Sequence, residues 1–283
     1  MNSVYELPSV VVDRIVATAL EEDLGSGDLT TEACVPADAQ AVAHAVARTA
    51  MVACGAVVAV RVFARVDTSL AFEEHVADGT RVEPRARLWS VRGRARSILM
   101  AERVALNFVQ RMCGVATQAR AYADAIPAGC ATRIADTRKT TPGLRALERY
   151  AVRCGGARNH RDDLGAAVLI KDNHIAACGG VRAAIERARA AAPHTAKIEC
   201  EVETLEQLDE ALAAGADIVL LDNMATPTIV SAVQRARGRA LVEASGGVTL
   251  ARIPELARAG VDSISVGALT HSVPAADVGL DFE

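Results

Sequence analysis

The chain has 283 residues, of which 51% are apolar and 3% aromatic, and its formal net charge is −4. This length is enough to bury a substantial core in one large domain or in two unequal ones. A core of Ala, Val, Leu and Ile suits buried parallel strands covered by helices. The acidic balance excludes a general attraction to nucleic acid or anionic lipid, because proteins that bind these carry a basic surplus.

The amino-terminal residues lack the charged-then-apolar pattern of a signal peptide, and no apolar run is long enough to span a membrane. The seven cysteines are scattered and show no CxxC spacing, which indicates reduced thiols. We therefore expect a cytoplasmic protein with neither a membrane nor a nucleic-acid partner.

The first part of the chain predicts an α+β domain. Residues 8–24 repeat apolar positions at helical spacing after Pro8, as expected for a helix. The segments that follow are interpreted, in chain order, as a loop at 25–36, a strand at 41–47, a helix near 55–66, a strand at 69–77, a turn-rich connection at 78–86, a strand at 87–91 and a long helix at 97–126.

From residue 131 the pattern becomes a regular alternation of strand and helix. Strands are predicted at 131–136, 166–172, 197–203, 216–223, 239–247 and 261–268. Repeated βα units form either an open doubly wound sheet or an α/β barrel. No GxGxxG motif opens the first unit, and nearly every strand ends in a charged or phosphate-binding residue. The barrel is favoured, because its strand ends converge on one mouth, where barrel active sites lie.

The residues expected at this mouth divide by charge. The cations are Arg138, Lys139, His160, Arg161 and Lys171, and the acids are Glu201 and Asp222, with Glu199 and Glu243 as further members. Carboxylates on one interior face are costly unless cations or a metal pair with them. The set predicts a site for a multiply anionic ligand, with Mg²⁺ near the acids. The alternative interpretation, ordinary surface salt bridges, would contribute little to stability.

Two glycine-bearing turns follow the last two predicted strands, "EASGGVTL" at 243–250 and "SVGALTHS" at 265–272. Free backbone N–H groups and helix N-termini at such turns bind anions. In α/β barrels the loops after the last strands often form a phosphate site. The turns therefore predict a phosphate group at this side of the mouth.

Several segments together resemble a known family. They are "DTRKTTPGLRALERYAVRCGGARNHR", "LIKDNHI", "IECEVETLEQL", "IVLLDNM", "EASGGV" and "VGALTHS", in that order. They closely resemble the quinolinate phosphoribosyltransferases, also called nicotinate-nucleotide pyrophosphorylases (carboxylating). The similarity extends upstream through "EDLGSGDLTT" and "AERVALNFVQRMCGVAT", so it covers almost the whole chain.

The resemblance implies an N-terminal α/β sandwich domain over 1–112, joined by the tail 273–283, and an incomplete, seven-stranded α/β barrel over 113–272. It implies transfer of the 5-phosphoribosyl group from 5-phosphoribosyl 1-pyrophosphate to quinolinate with Mg²⁺, giving nicotinate mononucleotide, pyrophosphate and CO2 for NAD synthesis. It also implies a homodimer in which one subunit's N-terminal domain closes the other's barrel mouth. No acid–base residue is expected to be essential for the decarboxylation.

The family's roles transfer to matching positions of this chain. The quinolinate carboxylates fall to Arg138, Arg161 and Lys171, with Thr137 and His160 nearby and Arg103 reaching in from the other subunit. Catalysis on the ribose and pyrophosphate side falls to Lys139, Glu201 and Asp222, the two acids also being the metal ligands. The 5′-phosphate falls to Ser245, Gly246, Gly247 and Gly267, with His271 beside them.

One segment departs from the family. Around Asn159-His160-Arg161 the family mostly has glycine, alanine and leucine, whereas this chain has Arg158, Asp162 and Asp163. These acids can pair with the neighbouring arginines and weaken the pull on a substrate carboxylate.

Two other functions stay open at this point. Lys171 at a strand end is compatible with a Schiff-base lyase. An anion-binding homologue from a molybdate-transport locus is the other, although the intact DTRKT and NHR motifs argue against it.

Overall fold

The structure is a computed structural model that describes residues 7–283. Its α-helices are α1 (Ser9–Leu24), α2 (Leu29–Cys34), α3 (Ala56–Val66), α4 (Ala95–Asp124), α5 (Arg145–Cys154), α6 (Asp172–Cys178), α7 (Val181–Ala191), α8 (Leu205–Ala213), α9 (Thr226–Ala236), α10 (Ile253–Arg258) and α11 (Ala268–His271). Its strands are β1 (Gln40–Ala47), β2 (Met51–Val52), β3 (Ala71–Glu74), β4 (Arg81–Val82), β5 (Arg87–Arg94), β6 (Arg133–Ala135), β7 (Val168–Ile170), β8 (Ile198–Val202), β9 (Ile218–Asp222), β10 (Leu241–Ser245), β11 (Ser263–Ser265) and β12 (Val278–Phe282). Within the described residues, no helix is long and apolar enough to cross a membrane.

The chain divides into two compact units. The first comprises the residues up to Arg120 together with 140–156 and 268–283, and the second comprises 121–139 and 157–267. In the first unit an antiparallel sheet has the strand order β12-β1-β5-β3. Phe63 of α3 packs edge-on against Trp89 of β5, with ring centroids 5.4 Å apart. Both side chains are almost fully buried, so this aromatic contact lies in the core of the unit.

Most predicted elements of the first unit are confirmed, and the loop at 25–36 is partly wrong. Residues 29–34 form α2, because the Asp28 side chain accepts a hydrogen bond from Thr31 N at 2.9 Å and so caps the helix. The strand expected at 69–77 is limited to β3, and the turn-rich connection contains β4, which pairs with β2.

Helix α4 carries three arginines, Arg96, Arg103 and Arg111, whose surroundings differ. Arg96 donates to the Val35 carbonyl oxygen at 2.8 Å, and Arg111 forms an ion pair with the buried Glu148 at 2.7 Å. Arg103 is exposed. Two of the three arginines therefore hold elements of the first unit together.

The second unit is built on a parallel sheet with the strand order β6-β11-β10-β9-β8-β7. Arg158 adds one parallel bridge to Ala135 at the β6 edge, where Arg158 N donates to the Ile134 carbonyl oxygen at 2.8 Å and Asp136 N donates to the Arg158 carbonyl oxygen at 3.0 Å. The described parallel sheet therefore has six strands and this single bridge, where seven strands were expected for the barrel. The predicted α/β class, with a parallel sheet and a separate antiparallel sheet, is confirmed.

Candidate active site

A cavity of about 560 Å³ lies at the carboxyl ends of the parallel strands. It is lined by Thr137, Arg138, Lys139, His160, Arg161, Leu169, Lys171, Glu201, Leu220, Asp222, Asn223, Glu243, Ser245, Gly246, Gly247 and Ser265. Side chains alternate along a strand, and alternate residues such as Glu243 and Ser245 of β10 both reach the cavity. Most residues that the sequence assigned to substrate or catalysis thus meet in one place.

Three predicted site residues lie elsewhere. Gly267 follows β11 and is not among the described residues that line the cavity. Arg103 belongs to α4 and His271 to α11, both in the first unit. Their part in the site therefore stays a prediction.

Lys171 and Glu201 form an ion pair between Nζ and Oε2. Lys171 follows β7, and Glu201 lies on the neighbouring strand β8. The Glu201 carboxylate is almost fully buried, where a charge is costly unless it is paired. The sequence had assigned Lys171 to the quinolinate carboxylates and Glu201 to the ribose and metal. Because the two side chains pair with each other, Lys171 must divide its contacts between Glu201 and quinolinate, and Glu201 must divide its contacts between Lys171 and the ribose or metal.

Asp136 fixes the backbone of the Asn159-His160-Arg161 segment. Its side chain is fully buried, and it accepts hydrogen bonds from His160 N at 2.7 Å and Asn159 Nδ2 at 2.6 Å. Sequence reasoning did not include Asp136 among the site residues. Its position at the head of the DTRKT motif was the available signal.

His160 lies between two buried carboxylates. Its Nε2 is 3.3 Å from Glu199 Oε2 and 3.3 Å from Glu243 Oε1. Hydrogen bonding to Glu199 and Glu243 raises the pKa of His160 to about 10. However, Nδ1 accepts the Arg161 N–H at 2.8 Å, which only a ring without an Nδ1 proton can do. The proton on Nε2 therefore faces the two carboxylates, and Nδ1 faces the backbone of Arg161.

The cationic side of the cavity is crowded. Burial and the nearby Arg138 both lower the pKa of the Arg161 guanidinium. Arg161 also donates to the Ala167 carbonyl oxygen at 3.0 Å. Asp163, one of the acids that depart from the family pattern, accepts the Gly165 N–H at 2.8 Å. Two guanidinium groups that face one cavity favour the binding of an anion between them.

The loops after β9 and β10 meet at the opposite side. Asn223 N donates to the Ser245 carbonyl oxygen at 3.0 Å, and Asn223 Nδ2 donates to Asp222 Oδ2 at 2.7 Å. Gly246 and Gly247 have φ of +82° and +56°, a region that favours glycine. Sequence reasoning missed Asn223, whose own φ of +54° is typical of asparagine at a turn.

Glu201 and Asp222 are the residues that the sequence assigned to magnesium. They present carboxylate oxygens on the neighbouring strands β8 and β9. Neither belongs to a group of three or more close His, Cys, Asp or Glu ligands among the described residues. Mg²⁺ usually keeps several waters and binds one or two carboxylates plus substrate phosphates. The two acids therefore fit a Mg²⁺ that arrives with a diphosphate, and not a closed protein cage.

Comparisons with known proteins agree over most of the chain. Residues 28–113 match the family model "Quinolinate phosphoribosyl transferase, N-terminal domain", and residues 115–281 match the C-terminal domain model. The nicotinate-nucleotide pyrophosphorylase [carboxylating] of Mycobacterium leprae is 46% identical over 273 residues, 94% of this chain and 95% of that protein. A probable nicotinate-nucleotide pyrophosphorylase [carboxylating] of Bacillus subtilis is 42% identical over 260 residues, covering 92% and 89%.

Solved structures give the same result. The nicotinate-nucleotide pyrophosphorylase of Francisella tularensis superposes with a TM-score of 0.92 at 37% identity, covering 100% of both chains. Two family models together span most of the chain, and the two bacterial relatives named above exceed 40% identity over 89% or more of each protein. The chain therefore belongs to the quinolinate phosphoribosyl transferase family.

Proposed function

We propose that this protein transfers a 5-phosphoribosyl group to quinolinate with decarboxylation, giving nicotinate mononucleotide, pyrophosphate and CO2. The observation that carries this proposal is the single cavity in which Arg138, Arg161 and Lys171 stand across from Asp222 and Ser245. One side offers cations to a dicarboxylate, and the other offers acids and glycine turns to a phosphorylated sugar. The reaction supplies a nucleotide for NAD synthesis.

Quinolinate would lie on the cationic side. Arginine binds carboxylates through two parallel N–H···O bonds, so Arg138 and Arg161 orient the two carboxylates of the ring. Lys171 adds a point charge once it shares its ammonium between Glu201 and the substrate. This orientation aims the ring nitrogen at the anomeric carbon of the sugar, and proximity of this kind supplies much of the rate enhancement.

We infer that the phosphoribosyl donor is 5-phosphoribosyl 1-pyrophosphate. Ser245, Gly246 and Gly247 would receive its 5′-phosphate through hydroxyl and backbone N–H groups. Lys139 is exposed at the cavity and would neutralise charge that builds on the leaving pyrophosphate. Glu201 and Asp222 would hold the ribose hydroxyls and Mg²⁺, which supplies further charge stabilisation when it is bound.

A homodimer is part of the proposal. Arg103 is exposed on α4, and a second subunit would place it at the cationic side of the cavity. This assignment rests on the family resemblance. Gel filtration of the wild-type chain, followed by mixing of R103A subunits with subunits inactivated at Lys139, would test it: recovered activity supports donation across the interface, and no recovery opposes it.

We also propose a cytoplasmic location, which the seven free cysteines support. Sedimentation of a cell lysate with separate soluble, membrane and periplasmic fractions would test this location.

The alternative functions are not favoured. A Schiff base needs an unprotonated amine, whereas Lys171 Nζ is engaged by the Glu201 carboxylate. The deciding assay measures pyrophosphate and CO2 release from quinolinate and the phosphoribosyl donor, with nicotinate as the control substrate. Turnover of quinolinate alone supports the proposal, whereas calorimetric binding of molybdate without any turnover would favour the anion-binding function.

A further inference from the structure

A buried hydrogen-bond network in the first unit is centred on the carboxylate of Glu148 in α5. Glu148 is 1% exposed, and it accepts hydrogen bonds from Arg111 Nε at 3.0 Å and Arg111 Nη2 at 2.7 Å. It also accepts from Thr141 N at 3.0 Å and from Thr141 Oγ1 at 2.6 Å. A buried carboxylate is costly unless such donors satisfy it. The network therefore binds Thr141 to α4 and α5 through both its backbone and its side chain.

Arg111 connects a further segment to the same carboxylate. Its Nη1 donates to the Val273 carbonyl oxygen at 2.9 Å, and its Nη2 donates to the carbonyl oxygen of the fully buried Thr270. A guanidinium presents its five N–H donors in one rigid plane, so a single group fixes the place of Glu148 relative to both carbonyls. This segment begins just after Gly267, where the chain passes from the second unit to the first.

Thr141 is bound close to the end of the DTRKT motif. Lys139 precedes it by two residues and is the last residue of the second unit before the chain enters the first, so their Cα atoms are at most about 7 Å apart. Between them, Thr140 Oγ1 accepts from Arg145 Nε at 3.0 Å. On the other side, Lys139 N donates to Thr137 Oγ1 at 3.1 Å. The position of Lys139 is therefore tightly coupled to the place where Thr141 is bound.

We propose that Arg111 and Glu148 are positioning residues for the phosphoribosyl donor. Through Thr141 they hold the segment that carries Lys139, and through the residues after Gly267 they hold the second turn. The inference rests on the proposed function, in which Lys139 faces the pyrophosphate and Gly267 the 5′-phosphate. One buried ion pair thus positions groups for the two ends of the same substrate, and neither of its members needs to touch that substrate.

The first test compares two arginines of α4. Arg111→Lys keeps the charge and loses the planar fork, which lysine cannot reproduce. Arg96→Lys is the matched control, because Arg96 donates to the carbonyl oxygens of Val35 at 2.8 Å and Glu32 at 3.1 Å. We expect Arg111→Lys to lower kcat/KM for the donor about 100-fold, since small displacements of positioning groups cost about that much. Arg96→Lys should keep the wild-type value, even though denaturation detects a lower stability in both variants. Equal losses of kcat/KM in the two variants would mean that Arg111 acts through stability alone and would overturn the proposal.

The two substrates should respond differently to Arg111→Lys. Arg161 and Lys171 lie on other segments, so they should retain most of the quinolinate affinity, although Arg138 shares the segment with Lys139. We therefore expect kcat/KM for the donor to fall much more than calorimetric binding of quinolinate. Equal losses for the two substrates would contradict a role on the donor side.

The second test leaves the buried ion pair intact, in case Arg111→Lys does not fold. Thr141→Val removes the hydroxyl and keeps the backbone N–H bond to Glu148, whereas Thr141→Ser keeps both. We expect Thr141→Val to lower kcat/KM for the donor and Thr141→Ser to retain most of it. A wild-type value in folded Thr141→Val, or an equal loss in Thr141→Ser, would overturn the proposal. A wild-type protein that releases no CO2 from quinolinate would instead overturn the proposed function, and this inference with it.

Discussion

Gly246 packs directly beneath the side chain of Asn223. A Cβ at Gly246 would lie 2.3 Å from Asn223 Oδ1 and 2.7 Å from Asp222 Oδ1, and the Gly246 φ is +82°. Both the available space and the backbone conformation therefore require glycine. At Gly247 the nearest of these atoms, Asn223 Oδ1, would be 3.7 Å away.

This difference gives a matched pair of variants. Gly246→Ala should displace Asp222 and lower kcat/KM for the phosphoribosyl donor by about 100-fold, since small misplacements of substrate-positioning groups cost about that much. Gly247→Ala should cost clearly less, because it meets no close contact. Steady-state kinetics with the donor varied would measure both. Equal losses in the two variants would contradict the steric argument.

The Lys171–Glu201 ion pair predicts opposite effects on the two substrates. Glu201→Gln frees the Lys171 ammonium for quinolinate and removes a metal and ribose ligand, so quinolinate should bind at least as tightly while turnover falls. Lys171→Ala should weaken quinolinate binding by about tenfold or more, because a charge-assisted contact is worth about 1.5–3 kcal/mol. Calorimetric titration of quinolinate into each variant would measure this. Weaker quinolinate binding in Glu201→Gln would argue against the shared lysine.

Lys139→Ala should abolish turnover while quinolinate still binds. Lys139 is exposed at the cavity, and we propose that it faces the pyrophosphate, so its loss should remove charge stabilisation from the leaving group and not from the dicarboxylate. Pyrophosphate release and quinolinate calorimetry on the same preparation would separate the two effects. An active variant would refute this role.

Asp136→Asn should loosen the segment that carries His160 and Arg161. The asparagine amide keeps only one acceptor oxygen, whereas the Asp136 carboxylate accepts from both Asn159 Nδ2 and His160 N. The NH2 group of the variant would face one of these two donors, which would then lose its hydrogen bond. Leaving a buried donor unsatisfied costs about 1–3 kcal/mol in the free energy of unfolding. Chemical denaturation would measure this loss, and the KM for quinolinate should rise in the folded variant. Unchanged stability together with an unchanged KM would show that Asp136 does not hold this segment in place.

Removal of divalent metal should stop the reaction reversibly. Chelation by EDTA is expected to abolish turnover, and added Mg²⁺ should restore it, because Glu201 and Asp222 fit a metal that is shared with the diphosphate. Quinolinate binding should persist in EDTA, since its contacts are cations. Full activity in EDTA would remove Mg²⁺ from the mechanism.

Much of the site could be read from the order of residues along the chain. In parallel βα units the carboxyl ends of all strands lie at one edge, so the identity of each strand's last residues determines what gathers there. Lys171, Glu201, Asp222 and Ser245 were found in this way. Their catalytic and metal roles, and the domain boundaries, stay predictions.

Contacts between side chains from different strands depended on the tertiary structure. The sequence does not specify that Glu199 and Glu243 enclose His160, that Lys171 pairs with Glu201, or that Asn223 covers Gly246, since each contact depends on strand order and register. Helix α2 was missed because one local cap stabilises six residues, too few for a periodic pattern. The sequence by itself determined which chemical groups reach the mouth, because chain order and strand alternation place them. Only the fold decided which of them form hydrogen bonds or ion pairs with one another, because those interactions depend on distances of a few ångströms between distant parts of the chain.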